Sequence, residues 1–514
     1  MALLMLPDII FSFFNESFHV SRDPKAVLFL APLAFGLVTS PKCFIALVLI
    51  FFSILQIFQF AHLAYFGINL TTFALQAATK ELPDVINEIH HLWLHYLYIP
   101  LIVIVPFYII YRIGKNFSYR RPWVGMISIL AICGYFGVSL HNNQRYLPNS
   151  RRITLDNSLR VFFGCIDKEN SNYVFKEYKP YSIVKNNHFQ SQEPVNIVFI
   201  VGESCNYRHM SLFGYDIHDT TPRLKNLAQN PNFYHTVGIS AASATSASFT
   251  MSINVVREPD NLKQLTLEAT NLFNLAKQSG FETFYLSTQS DAILSGSSNF
   301  IDHISTKELA PLQVYPQKDL YLLELIKNQN YKQKNFIVLH QFSIHSPYEW
   351  TYGKNYKPEI VFSGQENPLL DQYDNAMLYN DWLISEMFNF FNKSEKPFYI
   401  IWASDHNELL GENGLWGHGS GVMLIPEVSQ IPVLVQTNDS EFLDRVKNTF
   451  AITHYEIAKL LAQRIGFDII NPNEADEPDV FYTNGHNYCG KYGYIRFKKD
   501  ISNRKVDYDP PHYP

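Results

Sequence analysis

Charge is scarce in this 514-residue sequence: 17% of its residues are Asp, Glu, Lys or Arg, against roughly 25% in an average soluble protein. A positive excess is also missing. The formal net charge of −6 excludes nucleic acid as the main partner, because phosphate binding needs a basic footprint. Five cysteines are too few for a disulfide scaffold of this length. No lysine or arginine precedes the apolar run from Met1 to Phe14, so a cleaved secretory leader is not expected there. Internal repeats and low-complexity tracts are absent. Hydrophobic residues make up 47% and aromatics 15%, and that apolar surface excludes disorder as the main state.

Most of the hydrophobicity lies before residue 141. Cys43 to Phe66 is a run of 24 residues without a charge. Leu92 to Tyr111 is 20 residues interrupted only by His95 and prolines, and Pro122 to Leu140 is 19 uncharged residues. Each is long enough for a hydrocarbon core of about 30 Å at about 1.5 Å per residue. Ala26 to Ser40 suits one arm of a hairpin through Pro41, and Met1 to Phe14 carries Pro7 and Asp8. Four spans put the N-terminus outside and a fifth through residues 1–20 puts it inside; both arrangements stay open. Arg112, Lys115, Arg120 and Arg121 crowd the loop between the last two spans. The positive-inside rule assigns that loop to the cytoplasm, so everything after His141 and the loop 67–91 face outward. The expected organisation is an α-helical transmembrane domain over 1–140, a linker over 141–194 with interfacial helices such as Leu159 to Phe163, and an outward-facing domain over 195–514.

From Asn196 the texture changes to alternating β and α signals. Strands are expected at Asn196–Val201, Glu282–Ser287, Asn335–Phe342, Phe398–Ala403 and Ile431–Gln436, with helices at Leu272–Gly280, Tyr373–Phe391 and Thr453–Gly466. Continuous apolar strands alternating with helices indicate a mainly parallel sheet covered on both faces, and chemistry in such sheets sits beyond the carboxyl ends of the strands. Three strand ends carry unusual residues: Gly202-Glu203-Ser204, Ser343-Ile344-His345-Ser346-Pro347 and Ser404-Asp405-His406-Asn407-Glu408, with His418 following between two glycines. Carboxylates and imidazoles gathered at one rim suit a divalent cation such as zinc. A lone Glu or His at a strand end is more often a surface or capping residue; the adjacent pair Asp405-His406 is the more specific signal. The stretch 238–252, Gly-Ile-Ser-Ala-Ala-Ser-Ala-Thr-Ser-Ala-Ser-Phe-Thr-Met-Ser, reads by composition as a flexible Ser/Ala loop. It also offers hydroxyls that a metal can activate as nucleophiles, and spacing does not choose among them.

Three long motifs resemble one family. Asn196-Ile-Val-Phe-Ile-Val-Gly-Glu-Ser204, Arg208-His-Met-Ser-Leu-Phe-Gly-Tyr215 and Asp219-Thr-Thr-Pro-Arg-Leu224 are similar to the opening of the bacterial phosphoethanolamine transferases, which include the lipid A modifying enzymes of polymyxin resistance. Ser404-Asp-His-Asn-Glu-Leu-Leu-Gly-Glu-Asn-Gly414 with His418 resembles the second signature, with Asn407 where Gly is usual. Tyr373-Asp-Asn375 through Tyr379-Asn-Asp381 matches a third. The resemblance covers about 196–490 and extends more weakly to Tyr65-Phe-Gly67 and the spans.

The resemblance implies an alkaline phosphatase/sulfatase fold with a zinc site facing the periplasm, in a multi-pass protein of the bacterial inner membrane. It implies Glu203, Asp405 and His406 as zinc ligands. It implies Thr245 as nucleophile and further ligand, with Ser243 as the runner-up. His345, Glu408 and His418 correspond to a second metal or phosphate position and Gln289 to a substrate contact, while Gln76, Lys80 and Glu81 lie where the family meets its lipid donor. The implied donor is phosphatidylethanolamine, the acceptor lipid A, lipopolysaccharide or another glycan, and the protein a monomer. Two departures stand out. Cys165, Cys205 and Cys489 allow at most one intramolecular disulfide outside the membrane, where the family often has several, and Thr250 replaces the usual Pro after the nucleophile motif. The rival readings are a phosphoglycerol transferase of the same superfamily and an inactive membrane-anchored binding protein. A sulfatase activity is disfavoured by the lack of a Cys-x-Pro-x-Arg sequence.

Overall fold

Every residue of Asn196–Gly202 is buried, as is every residue of Asn335–His340, and both strands lie inside one seven-stranded sheet. The computed structural model of the chain describes residues 2–15, 18, 20, 24–66, 69–70, 75, 94, 96–116, 123, 125–132, 134, 153–166, 177–186, 194–267, 269–289, 294, 297–306, 318–331, 334–352, 362–393, 396–418, 424–474, 479–484, 493–500 and 503–512. It divides into two compact units.

The first unit takes Met1–Tyr173 with Leu410–Met423 and Asn487–Tyr492. Its helices are α1 (Ala2–Phe11), α2 (Pro24–Thr39), α3 (Lys42–Phe66), α4 (Tyr98–Asn116) and α5 (Thr154–Ile166). Among the described residues one helix, Lys42–Tyr65, is long and apolar enough to cross a membrane; Ala2–Phe11, Leu30–Thr39 and Tyr98–Gly114 are shorter apolar helices. Phe11, Leu30, Phe52, Phe60, Val103 and Phe107 share one core, while Leu47, Ile50, Ile54 and Phe58 of α3 remain exposed, so α3 is apolar on both its inner and its outer face. Within the predicted span over 122–140 the described residues, 123, 125–132 and 134, are helical, and the loop over 67–91 lies largely outside the described residues. The surface contact expected at Leu159–Phe163 belongs to α5. That helix is tied inward at its start: the Thr154 amide donates to Asp8 Oδ2 at 3.0 Å, and Gln56 Nε2 donates to Thr154 Oγ1 at 3.0 Å.

The second unit takes Val174–Leu409, Leu424–His486 and Gly493–Pro514. Its main strands are β1 (Asn196–Gly202), β2 (Phe233–Ile239), β3 (Glu282–Ser287), β4 (His303–Thr306), β5 (Asn335–His340), β6 (Phe398–Ser404) and β7 (Gln430–Thr437), in the spatial order β2-β7-β6-β1-β5-β3-β4. The β6-β1, β1-β5, β5-β3 and β3-β4 pairs are parallel. β7 is antiparallel to both neighbours, so the sheet is mixed at that side, where the sequence pattern shows only another apolar run. Alternate residues Ile197, Phe199 and Val201 of β1 join Val433 and Val435 of β7 and helix residues Leu272, Leu275, Ile457 and Leu461 in one core. The helix expected at Thr453–Gly466 runs from His454 to Ile465; Thr453 and Glu456 form a reciprocal capping box, and Gly466 closes the helix at φ 114°, a left-handed turn that glycine adopts without a Cβ penalty.

Candidate active site

Parallel pairing sets the site. In the β1–β6 register Gly202 stands opposite Ser404, so the residues that follow, Glu203 on one strand and Asp405-His406 on the other, emerge side by side. A Cβ on Gly202 would lie 2.3 Å from Trp402 Cζ2; only glycine lets β1 pass this buried indole. Ser204 then turns into the left-handed region at φ 52°, which brings its amide to Asp405 Oδ1 at 3.1 Å.

Glu203, Asp405 and His406 are all buried, and one potential ligand atom from each lies within 4.8 Å of the others. Glu203 Oε1 accepts from Ser204 Oγ at 2.7 Å. Glu203 Oε2 accepts from Gln289 Nε2 at 2.8 Å and from Thr245 Oγ1 at 3.2 Å. Asp405 Oδ1 accepts the Ser204 and His406 amides, but Asp405 Oδ2 is buried without a donor. An orphaned buried carboxylate oxygen costs free energy unless a proton or cation meets it. His406 Nδ1 lies 3.1 Å from the Asn407 carbonyl and must be the protonated nitrogen to bond it. That leaves the lone pair on Nε2, 3.3 Å from Asp405 Oδ2 and 3.6 Å from Glu203 Oε1. A ring nitrogen oriented through its partner N–H is the usual posture of a metal-binding histidine. Burial, and then the Asp405 charge, pushes the Glu203 carboxyl well above its ordinary range. Two oxygens of opposed carboxylates and one imidazole nitrogen, short of positive charge, form the donor set that zinc takes, so the residues present fit such an ion.

The Ser/Ala stretch is not a flexible loop throughout. Thr245–Ile253 is a helix, α6, and Thr245 is its first residue. This choice of hydroxyl is what the composition does not show. Thr245 Oγ1 lies 3.2 Å from Glu203 Oε2 and 3.3 Å from His406 Nε2, against two of the three clustered groups. Ser243 is buried and its amide donates to the Thr483 carbonyl at 2.9 Å. Ser240 Oγ donates toward the carbonyls of Ala242 and Asp405, and Ser248 Oγ lies 2.7 Å from the Asp405 carbonyl, fastening both ends of the turn to the ligand segment.

The other predicted residues fall in several places. Gln289 bridges Glu203 Oε2 and the Gln341 carbonyl at 2.8 and 3.0 Å, so it orients a candidate ligand directly. Glu408 is buried and its Oε1 accepts from the Tyr348 hydroxyl at 2.7 Å. His345 Nδ1 donates to the Ser346 carbonyl at 2.6 Å, with its ring against Phe342. Neither belongs to the three-residue cluster. His418 lies in the Leu410–Met423 segment of the first unit. Gln76, Lys80, Glu81 and Cys489 lie outside the described residues, and Cys205 is a free, buried thiol. Much of the long third motif fastens the backbone. Asp374 accepts from His209 Nδ1, His218 Nδ1, the Tyr215 hydroxyl and Gln365 Nε2 at 2.6–2.9 Å, and Asp381 accepts the Arg223 and Leu224 amides. His454, fully buried and with its pKa lowered by burial to about 4, was not singled out by the sequence pattern. It follows the helix cap Thr453 in an ordinary amphipathic helix, and nothing local marks it.

A sulfatase family model matches residues 195–452, half of the chain. The chain is 32% identical over 260 residues to the Kdo(2)-lipid A phosphoethanolamine 7''-transferase of Salmonella typhimurium, a match that covers 47% of this chain and 44% of that one. It is 24% identical over 381 residues to the phosphoethanolamine transferase EptA of Helicobacter pylori, covering 69% and 70%. The matched part is thus less than half the length of the first relative. Among solved structures, the integral membrane lipooligosaccharide phosphoethanolamine transferase A (EptA) from Neisseria meningitidis superposes with a TM-score of 0.59 at 18% identity, over 86% of this chain and 88% of that one, a likeness of fold.

Proposed function

The chain belongs to the sulfatase family, and from that premise and the site geometry we propose that it is a membrane-bound phosphoethanolamine transferase. In this reading it moves phosphoethanolamine from phosphatidylethanolamine to lipid A, lipopolysaccharide or another envelope glycan, in the bacterial inner membrane with the catalytic domain in the periplasm. The observation that carries the reading is the Thr245 hydroxyl held within 3.3 Å of both Glu203 and His406 beside an orphaned Asp405 oxygen. The names of the two relatives above support the group transferred, and the apolar helix Lys42–Tyr65 supports a membrane setting in which both reactants are lipid-borne.

Glu203, Asp405, His406 and Thr245 would hold zinc. The ion would supply positive charge that lowers the hydroxyl pKa and steadies charge on the phosphoryl oxygens. Thr245 Oγ1 attacks phosphorus and gives up its hydroxyl proton; the bond from phosphorus to the diacylglycerol oxygen breaks, and that oxygen takes up one proton, so no net proton is gained or lost. Phosphoethanolamine stays on Thr245 as a phosphodiester-derived ester. In the second step an acceptor hydroxyl or phosphate oxygen attacks the same phosphorus and frees Thr245. The chain's part is positioning: Gln289 and Ser204 hold the Glu203 carboxylate on both oxygens, and Thr245 sits at the N-terminus of α6, whose partial positive charge favours a phosphoryl group there. His345 and Glu408 are assigned to the phosphate side, where an imidazole can protonate a leaving oxygen. The functional unit is a monomer.

The test feeds zinc-loaded full-length protein and envelope acceptor with phosphatidylethanolamine labelled in ethanolamine, and in parallel with phosphatidylglycerol labelled in glycerol. Ethanolamine label in the lipid A or lipopolysaccharide fraction is the expected result. Transfer of the glycerol label instead, or transfer of neither, overturns the reading.

A further inference from the structure

His454 bonds neither the clustered groups nor Thr245, yet it ties the strand end that carries Asp405 and His406 to the turn and helix that carry Thr245. Its Nε2 lies 2.9 Å from the Ser404 carbonyl, one residue before Asp405. A carbonyl only accepts, so Nε2 carries the proton and Nδ1 the lone pair. Nδ1 receives the Ala241 amide at 3.2 Å and faces Ser248 Oγ at 3.0 Å. Ala241 lies in the turn that leads into α6, and Ser248 lies on α6 itself, one turn after Thr245. Ser248 Oγ also lies 2.7 Å from the Asp405 carbonyl, so its single hydroxyl proton is shared between that carbonyl and Nδ1, and the Ala241 amide is the full donor to Nδ1. The side chain is 2% exposed, and its backbone is fixed by the Thr453–Glu456 capping box at the head of its helix. One donor therefore points at the strand that supplies Asp405 and His406, and one acceptor at the turn and helix that supply Thr245.

We infer that His454 is a positioning residue: through this two-sided bond it sets the distance of the Thr245 hydroxyl from Glu203 and His406, and so determines whether Thr245 serves the metal at all. The inference rests on the proposed metal site, and its test uses the metal alone. The two halves of the bond separate by substitution. In His454→Asn the side-chain oxygen sits near the Nδ1 position and keeps the acceptor for Ala241 and Ser248. In His454→Gln the side-chain nitrogen reaches toward Nε2 and keeps the donor for Ser404, with the Nδ1 acceptor lost.

The experiment is a double-mutant cycle on zinc affinity of the full chain, measured by competition with a chromogenic chelator. Thr245→Ala is expected to weaken zinc about tenfold in the native background, as loss of a ligand or its supporting partner does. In the His454→Gln background, where Thr245 is already displaced, the same substitution is expected to change affinity less than about twofold, and in His454→Asn to regain most of the tenfold effect. A full tenfold effect of Thr245→Ala in the Gln background overturns the inference, since Thr245 then reaches the metal without His454. Should the Gln variant fail to give a cooperative melt, Ser248→Ala removes the hydroxyl between His454 and Asp405 and is expected to shrink the Thr245 effect likewise; an undiminished effect overturns the inference. Absence of stoichiometric zinc from native protein overturns the proposed metal site and this inference together, whereas normal zinc binding with independent mutational effects overturns this inference alone.

Discussion

Replacing Glu203 by Gln sharply separates a metal site from a structural carboxylate cluster. Glu203 and Asp405 are both buried, with ligand atoms within 4.8 Å. Two full negative charges at that distance repel by about 3 kcal/mol at an effective dielectric of about 20. Without a cation the protein escapes part of this by holding a proton on Glu203, whose pKa is raised by burial and by Asp405. At pH 8 that proton uptake is itself unfavourable, so stability is lost by one route or the other as pH rises. The neutral amide of Glu203→Gln removes both routes. Its oxygen can remain on the side of Gln289 and Thr245, and its NH2 can face Ser204 Oγ. The substitution is therefore expected to stabilise the chelator-treated protein at pH 8. Each 1 kcal/mol gained raises Tm by about 2–4 °C for a domain of 150–250 residues. Zinc at 100 times its Kd stabilises the native protein by about 2.7 kcal/mol, and that increment is expected to vanish in the variant. The assay is scanning fluorimetry of detergent-solubilised full chain with chelator and with zinc. A Glu203→Gln variant that melts lower in chelator, or keeps the full zinc shift, refutes the reasoning.

Two further expectations concern the scaffold. His340, stacked on Phe249 at 4.9 Å and bonded to the Tyr285 hydroxyl, has its pKa lowered by burial to about 4; the unfolded chain binds the proton more readily, so its contribution is present above about pH 6.5 and is lost as pH falls toward 4. His340→Gln is expected to reduce the loss of stability between pH 7 and pH 5 by about 2 kcal/mol, read as a smaller drop in Tm, and an unchanged drop contradicts the assignment. Gly202→Ala forces a Cβ to 2.3 Å from Trp402, whose Nε1 is held on Gln341 Oε1 at 2.7 Å. It is expected to cost about 1–3 kcal/mol of stability and to weaken zinc by displacing Glu203; unchanged Tm and zinc affinity would show that β1 has slack.

What could be read from the sequence was what local chemistry writes into it. β1, β5 and β6 are unbroken apolar runs because both faces are covered, and the polar residues just past their ends stood out against them; Glu203, Asp405 and His406 were legible for that reason. β2 and β4, with His235, Thr236, His303 and Ser305 among their residues, lie toward or at the edges of the sheet and lack that signature. The reversal of β7 was equally hidden, since an apolar strand reads the same in either direction. The helical state of Thr245–Ile253 was masked by serines that favour turns in isolation, and here Ser240 and Ser248 spend their hydroxyls on the Asp405 segment instead. Contacts such as Gln289 to Glu203, 86 positions apart, or His454 to Ala241, 213 positions apart, come from folding alone and leave no local trace.

The proposed transfer depends on one hydroxyl, that of Thr245, carrying the group in transit. The most direct measurement is peptide mapping by mass spectrometry of zinc-loaded full-length protein quenched during turnover with phosphatidylethanolamine. The account requires phosphoethanolamine on the peptide containing Thr245, lost in Thr245→Ala and retained in Ser243→Ala. Label that persists in Thr245→Ala, or that maps to Ser243, contradicts it.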